Sequence, residues 1–261
     1  MTDREIVMQM GKENRAIFEG EHVVRLNLEK SGLTELPENI GQLSELRFLD
    51  LCYNPITTLP ESIGNLGKLT FLDVAYTNLS GLPESIGNLT VLEKLVIFGT
   101  DIAELPESIG NLSTLKELNI VSMSKLTELP ESIGNLTSLE FLDARCSYFP
   151  TLPQTFGNLT SLKWVLLEKS ELWELPESIG NLSALLELDI RSRKVVKLPD
   201  SMANLTALEI LLANDVKTNK WLDIRRGLSS LKICDWGKVY NLDSDVEDAK
   251  PSGTMFCIEI R

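Results

Sequence analysis

One histidine and four cysteines are the only side chains in these 261 residues from which imidazole or thiolate chemistry, including the usual structural zinc site, could be built. They are His22, Cys52, Cys146, Cys234 and Cys257. A structural zinc site needs four ligands close in space, usually offered as pairs a few residues apart. Here the thiols are scattered (146 − 52 = 94 and 234 − 146 = 88) and one imidazole cannot complete a multi-histidine site. A Cys/His nucleophilic pair would require His22 to meet Cys52, whereas packing at a turn or cap accounts for His22 without it. No GxxxxGK[ST] phosphate loop occurs. The expectation is therefore no enzyme, no cofactor and no metal. Unclustered cysteines also predict reduced thiols and no disulfide framework, as in a cytoplasmic setting. MTDREIVMQMGKENR lacks the apolar run of a secretory leader; a leader removed from the chain would make it a secreted protein instead.

The formal charge of −13 argues against nucleic acid or an anionic membrane as partner, because both reward basic patches. No run of 18 apolar residues is present, so no membrane-spanning helix is expected. What remains is recognition of another protein. The elements that would position such a surface follow from an internal repeat.

LPESIGNL occurs five times, starting at Leu59, Leu82, Leu105, Leu129 and Leu175. LPENIGQL from Leu36, LPQTFGNL from Leu152 and LPDSMANL from Leu198 are variants. The step is 23 residues, apart from one of 24 between Leu105 and Leu129. A fixed period of this size means stacked supersecondary units sharing one continuous core. The first apolar position of each unit recurs as Val23, Leu46, Leu69, Leu92, Leu115, Leu139, Leu162, Leu185, Leu208 and Leu231. It opens stretches such as Leu69, Leu72, Val74, whose alternation signals a strand with one buried face. The Leu-Pro segment that follows suits a short helical or 3-10 return, with Pro placed where an N–H would be unpaired anyway. The acid after each Leu-Pro, such as Glu61 or Glu84, is favoured by the free N–H groups of that turn.

LxxLxLxxNxxLxxLP spacing, copied in phase over roughly residues 23 to 236, resembles the leucine-rich repeat family. The LPxxIxxL segment is similar to the class found in bacterial repeat proteins, Ras-group intracellular relatives and some plant resistance proteins. This resemblance implies an α/β solenoid: a curved parallel sheet on the concave face, short helical or 3-10 returns on the convex side, and a protein-binding role without catalysis. The expected division is a capping helix within residues 1–22, spanning 3–19, about ten repeats in 23–236, and a cap in 237–261. Within the last repeat and cap, a degenerate strand is expected at Leu231–Trp236, a loop at Asp243–Pro251 and an edge strand at Met255–Ile260. One departure concerns the Asn after each strand, which only Asn54 retains. Thr77, Thr100, Ser147, Ser170, Arg193 and Val216 stand in its place, and later turns should be less regular. The extra residue near Ser122–Lys125 should be taken up by a local loop.

Side chains between the buried leucines should line the open face of the sheet. Its aromatics are Phe48, Phe71, Phe98, Phe141 and Trp164, with Tyr53 and Tyr76 at the rim. Asp50, Asp73, Asp143 and Arg145 lie among them. Aromatics and arginine are enriched in binding hot spots, although stacking between strands is a second reason for rings there. These residues are the candidate contacts for a protein or peptide, with basic groups facing the aspartates. The chain itself should be a monomer; the alternative reading is a secreted bacterial effector or surface adhesin using the same repeats to bind a host protein.

Overall fold

The computed structural model describes residues 1–191, 197–213, 221–235 and 239–241. One 12-stranded sheet runs through it, its strands ordered as in the sequence. β2 (His22–Asn27) is followed by β3 (Phe48–Asp50), β4 (Phe71–Asp73), β5 (Lys94–Val96) and β6 (Glu117–Asn119). β7 (Phe141–Asp143), β8 (Trp164–Leu166), β9 (Glu187–Asp189), β10 (Ile210–Leu212) and β11 (Ile233–Asp235) complete the parallel series. Register is preserved from repeat to repeat, as in Phe48↔Phe71 and Asp50↔Asp73. Each strand from β3 to β11 keeps its middle residue buried: Leu49, Leu72, Leu95, Leu118, Leu142, Val165, Leu188, Leu211 and Cys234. Among the described residues these join one core running from Ile6 to Cys234.

Opposite the strands, each Leu-Pro opens a 3-10 helix such as Glu61–Asn65 or Glu107–Asn111, with Pro as its N-terminal cap. The acids at their first positions reach across repeats: Ser85 N donates to Glu61 and Thr155 N to Glu131. Their glycines are set by packing between turns. A Cβ on Gly110 would lie 2.5 Å from the Ser132 carbonyl oxygen, and one on Gly64 2.4 Å from that of Ser85. Where the glycine is replaced by Ala203, the neighbouring element supplies one instead. Gly227, at the end of α2 (Trp221–Gly227), sits against Ala203 so closely that a Cβ there would meet its carbonyl. Gly110→Ala should cost about 1–3 kcal/mol as an overpacking change, measured by urea unfolding; an unchanged midpoint would show that the turns can separate at no cost.

The turn after the strand carries a left-handed residue at the same position in seven repeats: Lys30, Tyr53, Tyr76, Gly99, Ser122, Cys146 and Lys169. After it, Asn54 is buried and ties two repeats together, while Thr77 and Thr100 only donate to their own strands, at Val74 O (2.7 Å) and Ile97 O (2.9 Å). In the fifth unit Ser124 and Lys125 form the expected adjustment, a turn in which Leu126 N donates to Met123 O. Arg193 and Val216 lie outside the described residues.

Two end assignments change. α1 occupies only Asp3–Gln9, opened by the expected capping box of Thr2 with Glu5. The helix expected to reach residue 19 stops because Gly11 turns left-handed (φ 65°) and Ala16–Glu19 forms β1, antiparallel to β2 around Gly20. Its alternation, with Ala16 and Phe18 packed on the core and Ile17 exposed, is a strand pattern. At the other end α2 replaces the 3-10 turn where Leu-Pro is lost. β11 covers Ile233–Asp235 of the expected 231–236 strand, and β12 (Val239–Asn241) returns antiparallel to it. Trp236, the 243–251 loop and the 255–260 strand lie outside the described residues. No described helix is long and apolar enough to cross a membrane.

Candidate functional site

From β3 to β11 the first residue of each strand faces outward, as does Arg25 of β2 in register with them, and in the N-terminal half these side chains form a stack. Arg25 lies with its guanidinium carbon 3.5 Å from the centroid of Phe48, and Phe48 stacks on Phe71 at 4.3 Å with the rings 5° from parallel. A second column stands at the rim, at the left-handed position. Lys30 Nζ is 4.7 Å from the centre of the Tyr53 ring, Tyr53 stacks on Tyr76 at 4.5 Å, and Phe98 meets Tyr76 edge-on at 4.8 Å. The column ends where it does because Gly99 follows: a Cβ there would come within 2.9 Å of the Tyr76 ring. Tyr53 and Tyr76 each keep 48% of their surface exposed.

The aromatic row does not continue unbroken to Trp164. Lys94 and Glu117 form an ion pair at 2.5 Å on β5 and β6 and divide it. Phe141 and Trp164 lie in register beyond that pair, with Lys163 Nζ 5.9 Å from the Trp164 ring. The eleven candidate residues therefore fall into an N-terminal group, comprising Phe48, Asp50, Tyr53, Phe71, Asp73, Tyr76 and Phe98, and a C-terminal group of Phe141, Asp143, Arg145 and Trp164.

The last residue of six strands has a backbone task that spacing alone did not reveal. Asp50 accepts from Cys52 N at 3.0 Å, Asp73 from Ala75 N at 2.8 Å, and Asn27, Asn119, Asp143 and Asp189 accept from the amide two residues on. Asp143 is corrected as a contact for a basic partner. It is only 3% exposed, and both its oxygens are taken by Arg145 (Nε 2.9 Å, Nη2 2.7 Å). The pair reappears as Asp189 with Arg191, at 2.9 and 2.6 Å. An Asp-x-Arg repeated 46 residues apart (189 − 143 = 46, two steps of 23) was the available sign of it. Arg25 and Lys30, which cover the outer ends of the two aromatic columns, also went unselected; both stand one repeat before a selected ring.

Asp73 is half-buried, and its carboxyl is pushed up to about 6, chiefly by burial, opposed by the Ala75 amide and Lys94 and reinforced by the neighbouring Asp50 and by Glu29. A carboxyl whose folded value lies above its unfolded one binds more protons when folded. Stability should then fall as pH rises from about 4 to about 6, and stay lower above that. Asp73→Asn keeps the bond to Ala75 N, as Asn27 and Asn119 do in their own repeats. Urea melts should find it more stable than the parent at pH 8 and within about 0.5 kcal/mol of it at pH 4. A variant less stable at both values would show the carboxylate to be structurally required.

His22 does not form the nucleophilic pair. It stands exposed beside Asp3, at 3.5 Å, while Cys52 is buried with Ala75 and Val96. Burial and contact with Asp50 push the Cys52 thiol far above its ordinary range, so it stays protonated.

The sequence profile of the leucine-rich repeat region family matches residues 19–98, 68–151, 95–166 and 153–239. The chain is a leucine-rich repeat protein. Among curated proteins none matches the sequence. Solved structures with the same fold include a leucine-rich repeat protein of Leptospira interrogans, 26% identical at a TM-score of 0.50, covering 81% of this leucine-rich repeat chain and 71% of that one. The ectodomain of the Arabidopsis thaliana receptor kinase GASSHO1/SCHENGEN3, in complex with CASPARIAN STRIP INTEGRITY FACTOR 2, is 28% identical at a TM-score of 0.61, with coverages of 81% and 26%. The plant peptide hormone receptor RGFR1, in complex with RGF2, is 26% identical at 0.56, with coverages of 77% and 38%. This leucine-rich repeat chain thus spans between about a quarter and two fifths of the plant receptors.

Proposed function

We propose that this leucine-rich repeat protein is a binding module that takes a protein or peptide along its concave face, anchored on the N-terminal group of aromatics. The observation that carries the reading is the rim column. Two tyrosines stand half in water at a left-handed position where Lys30, Gly99, Ser122, Cys146 and Lys169 serve other repeats. A non-glycine residue there is strained by about 1 kcal/mol or more, so a bulky exposed ring serves something other than the turn. Exposed aromatic surface of this kind marks interaction sites. The likeness to a peptide hormone receptor in complex with its ligand supports a peptide-sized occupant. Adjacent strands lie about 4.8 Å apart, so β2 to β5 present a strip roughly 15 Å wide, enough for a few residues of extended chain or a helix turn.

Panning a phage-displayed random dodecapeptide library on the parent protein tests this. The expected result is a set of sequences that bind the parent and not a Phe71→Ala/Tyr76→Ala variant. Equal recovery on both would remove the N-terminal face from consideration.

A further inference from the structure

We infer that Asp73, with Asp50 beside it, is a receptor for an arginine side chain carried by the partner; this rests on the concave face being the binding surface. The argument comes from comparing the repeats of this one chain. At the last strand position of six strands a side-chain oxygen accepts the amide two residues on, and Asn27 and Asn119 do so without charge. The backbone therefore does not call for a carboxylate. Where β7 and β9 carry one, the charge is answered two residues later by the bidentate guanidinium of Arg145 or Arg191. In β3 and β4 that later residue is Cys52 or Ala75, which offers no cation. Among the described residues neither Asp50 nor Asp73 takes part in an ion pair.

Two carboxylates facing each other across adjacent strands are unfavourable unless a cation meets them. The surface around them already holds cations on aromatic rings, Arg25 on Phe48 and Lys30 on Tyr53. Phe71 precedes Asp73 by two residues on the same strand, and Phe98 packs against the small cluster of Cys52, Ala75 and Val96. A guanidinium is suited to both demands at once: its planar fork meets two carboxylate oxygens and its face stacks on a ring, which an ammonium does less well. Burial and Asp50 lift the Asp73 carboxyl, and a bound cation would lower it again.

The peptides recovered by panning provide the probe. The inference expects them to be enriched in arginine and to bind an Asp50→Asn/Asp73→Asn variant at least about tenfold more weakly than the parent. Replacing the peptide's arginine by citrulline, which keeps shape and loses charge, should weaken binding to the parent equally and add nothing in the Asn variant. Peptides that bind parent and Asn variant alike, yet are lost on Phe71→Ala/Tyr76→Ala, overturn the arginine receptor while leaving the binding face intact. Failure to recover any peptide sensitive to Phe71→Ala/Tyr76→Ala overturns both. Thermal melts of the Asn variant at pH 8 should equal or exceed the parent, so a loss of binding is not a loss of fold.

Discussion

A Leu118→Asp variant is expected to be unfolded at room temperature. Leu118 is the middle residue of β6, fully buried near the centre of a core that runs from Ile6 to Cys234. Its neighbours in register, Leu95 and Leu142, offer no cation or hydrogen-bond donor to a carboxylate. An unpaired buried charge together with the lost apolar contacts costs about 5 kcal/mol or more. Folded domains hold only about 5–15 kcal/mol in total. In a solenoid each repeat is supported mainly by its neighbours, so a break at the sixth strand strips support from both sides. Far-UV circular dichroism and a urea melt would check it. A cooperative transition near the parent's midpoint would mean that Leu118 is not where the core requires it.

Asn54→Ala should have the next largest effect, about 3 kcal/mol or more. Its Nδ2 donates to Leu28 O and Leu51 O, each at 2.8 Å, and its Oδ1 accepts from Ser31 N and Leu33 N, each at 3.0 Å. Alanine leaves those four backbone groups, two buried and two half-buried, without this partner, and each orphaned buried group costs about 1 kcal/mol or more. Leu28, Ser31 and Leu33 belong to the preceding repeat, so the loss should appear as early opening of the N-terminal end. Hydrogen exchange would read it as lost protection at the amides of Ser31 and Leu33. Asn54→Thr should recover only part, because Thr77 and Thr100 reach just their own strand. If Asn54→Ala exchanges like the parent, the side chain is not the clasp between the first two repeats.

The period was enough to place ten of these strands and all the Leu-Pro turns, because each unit buries the same apolar positions at the same spacing. The ends were harder to read for a physical reason: a cap has no second copy to compare with. Ala16–Glu19 and α2 therefore carry only local signals, Gly11 and Gly20 in one case and the loss of Leu-Pro in the other. On the concave face, alternation identified which residues point outward but not what they do to one another. Asp143 looked available for a partner until Arg145, two residues on, was seen to occupy both its oxygens. The break between Phe71 and Phe141 was likewise hidden, since Lys94 and Glu117 become an ion pair only when their strands are neighbours. Left-handed backbone at Tyr53 and Tyr76 has no signature in residue type, as the same position holds lysine, serine and cysteine elsewhere.

The central claim is that the N-terminal aromatics serve binding and not the fold. Titration calorimetry with a peptide recovered by panning, run beside thermal melts of the same Phe71→Ala and Tyr76→Ala proteins, tests it most directly. The account expects each substitution to weaken binding by about 2 kcal/mol or more, with melting temperatures within a few degrees of the parent. Variants that melt much lower and bind as tightly as the parent would contradict it, and would assign the rings to packing along the sheet.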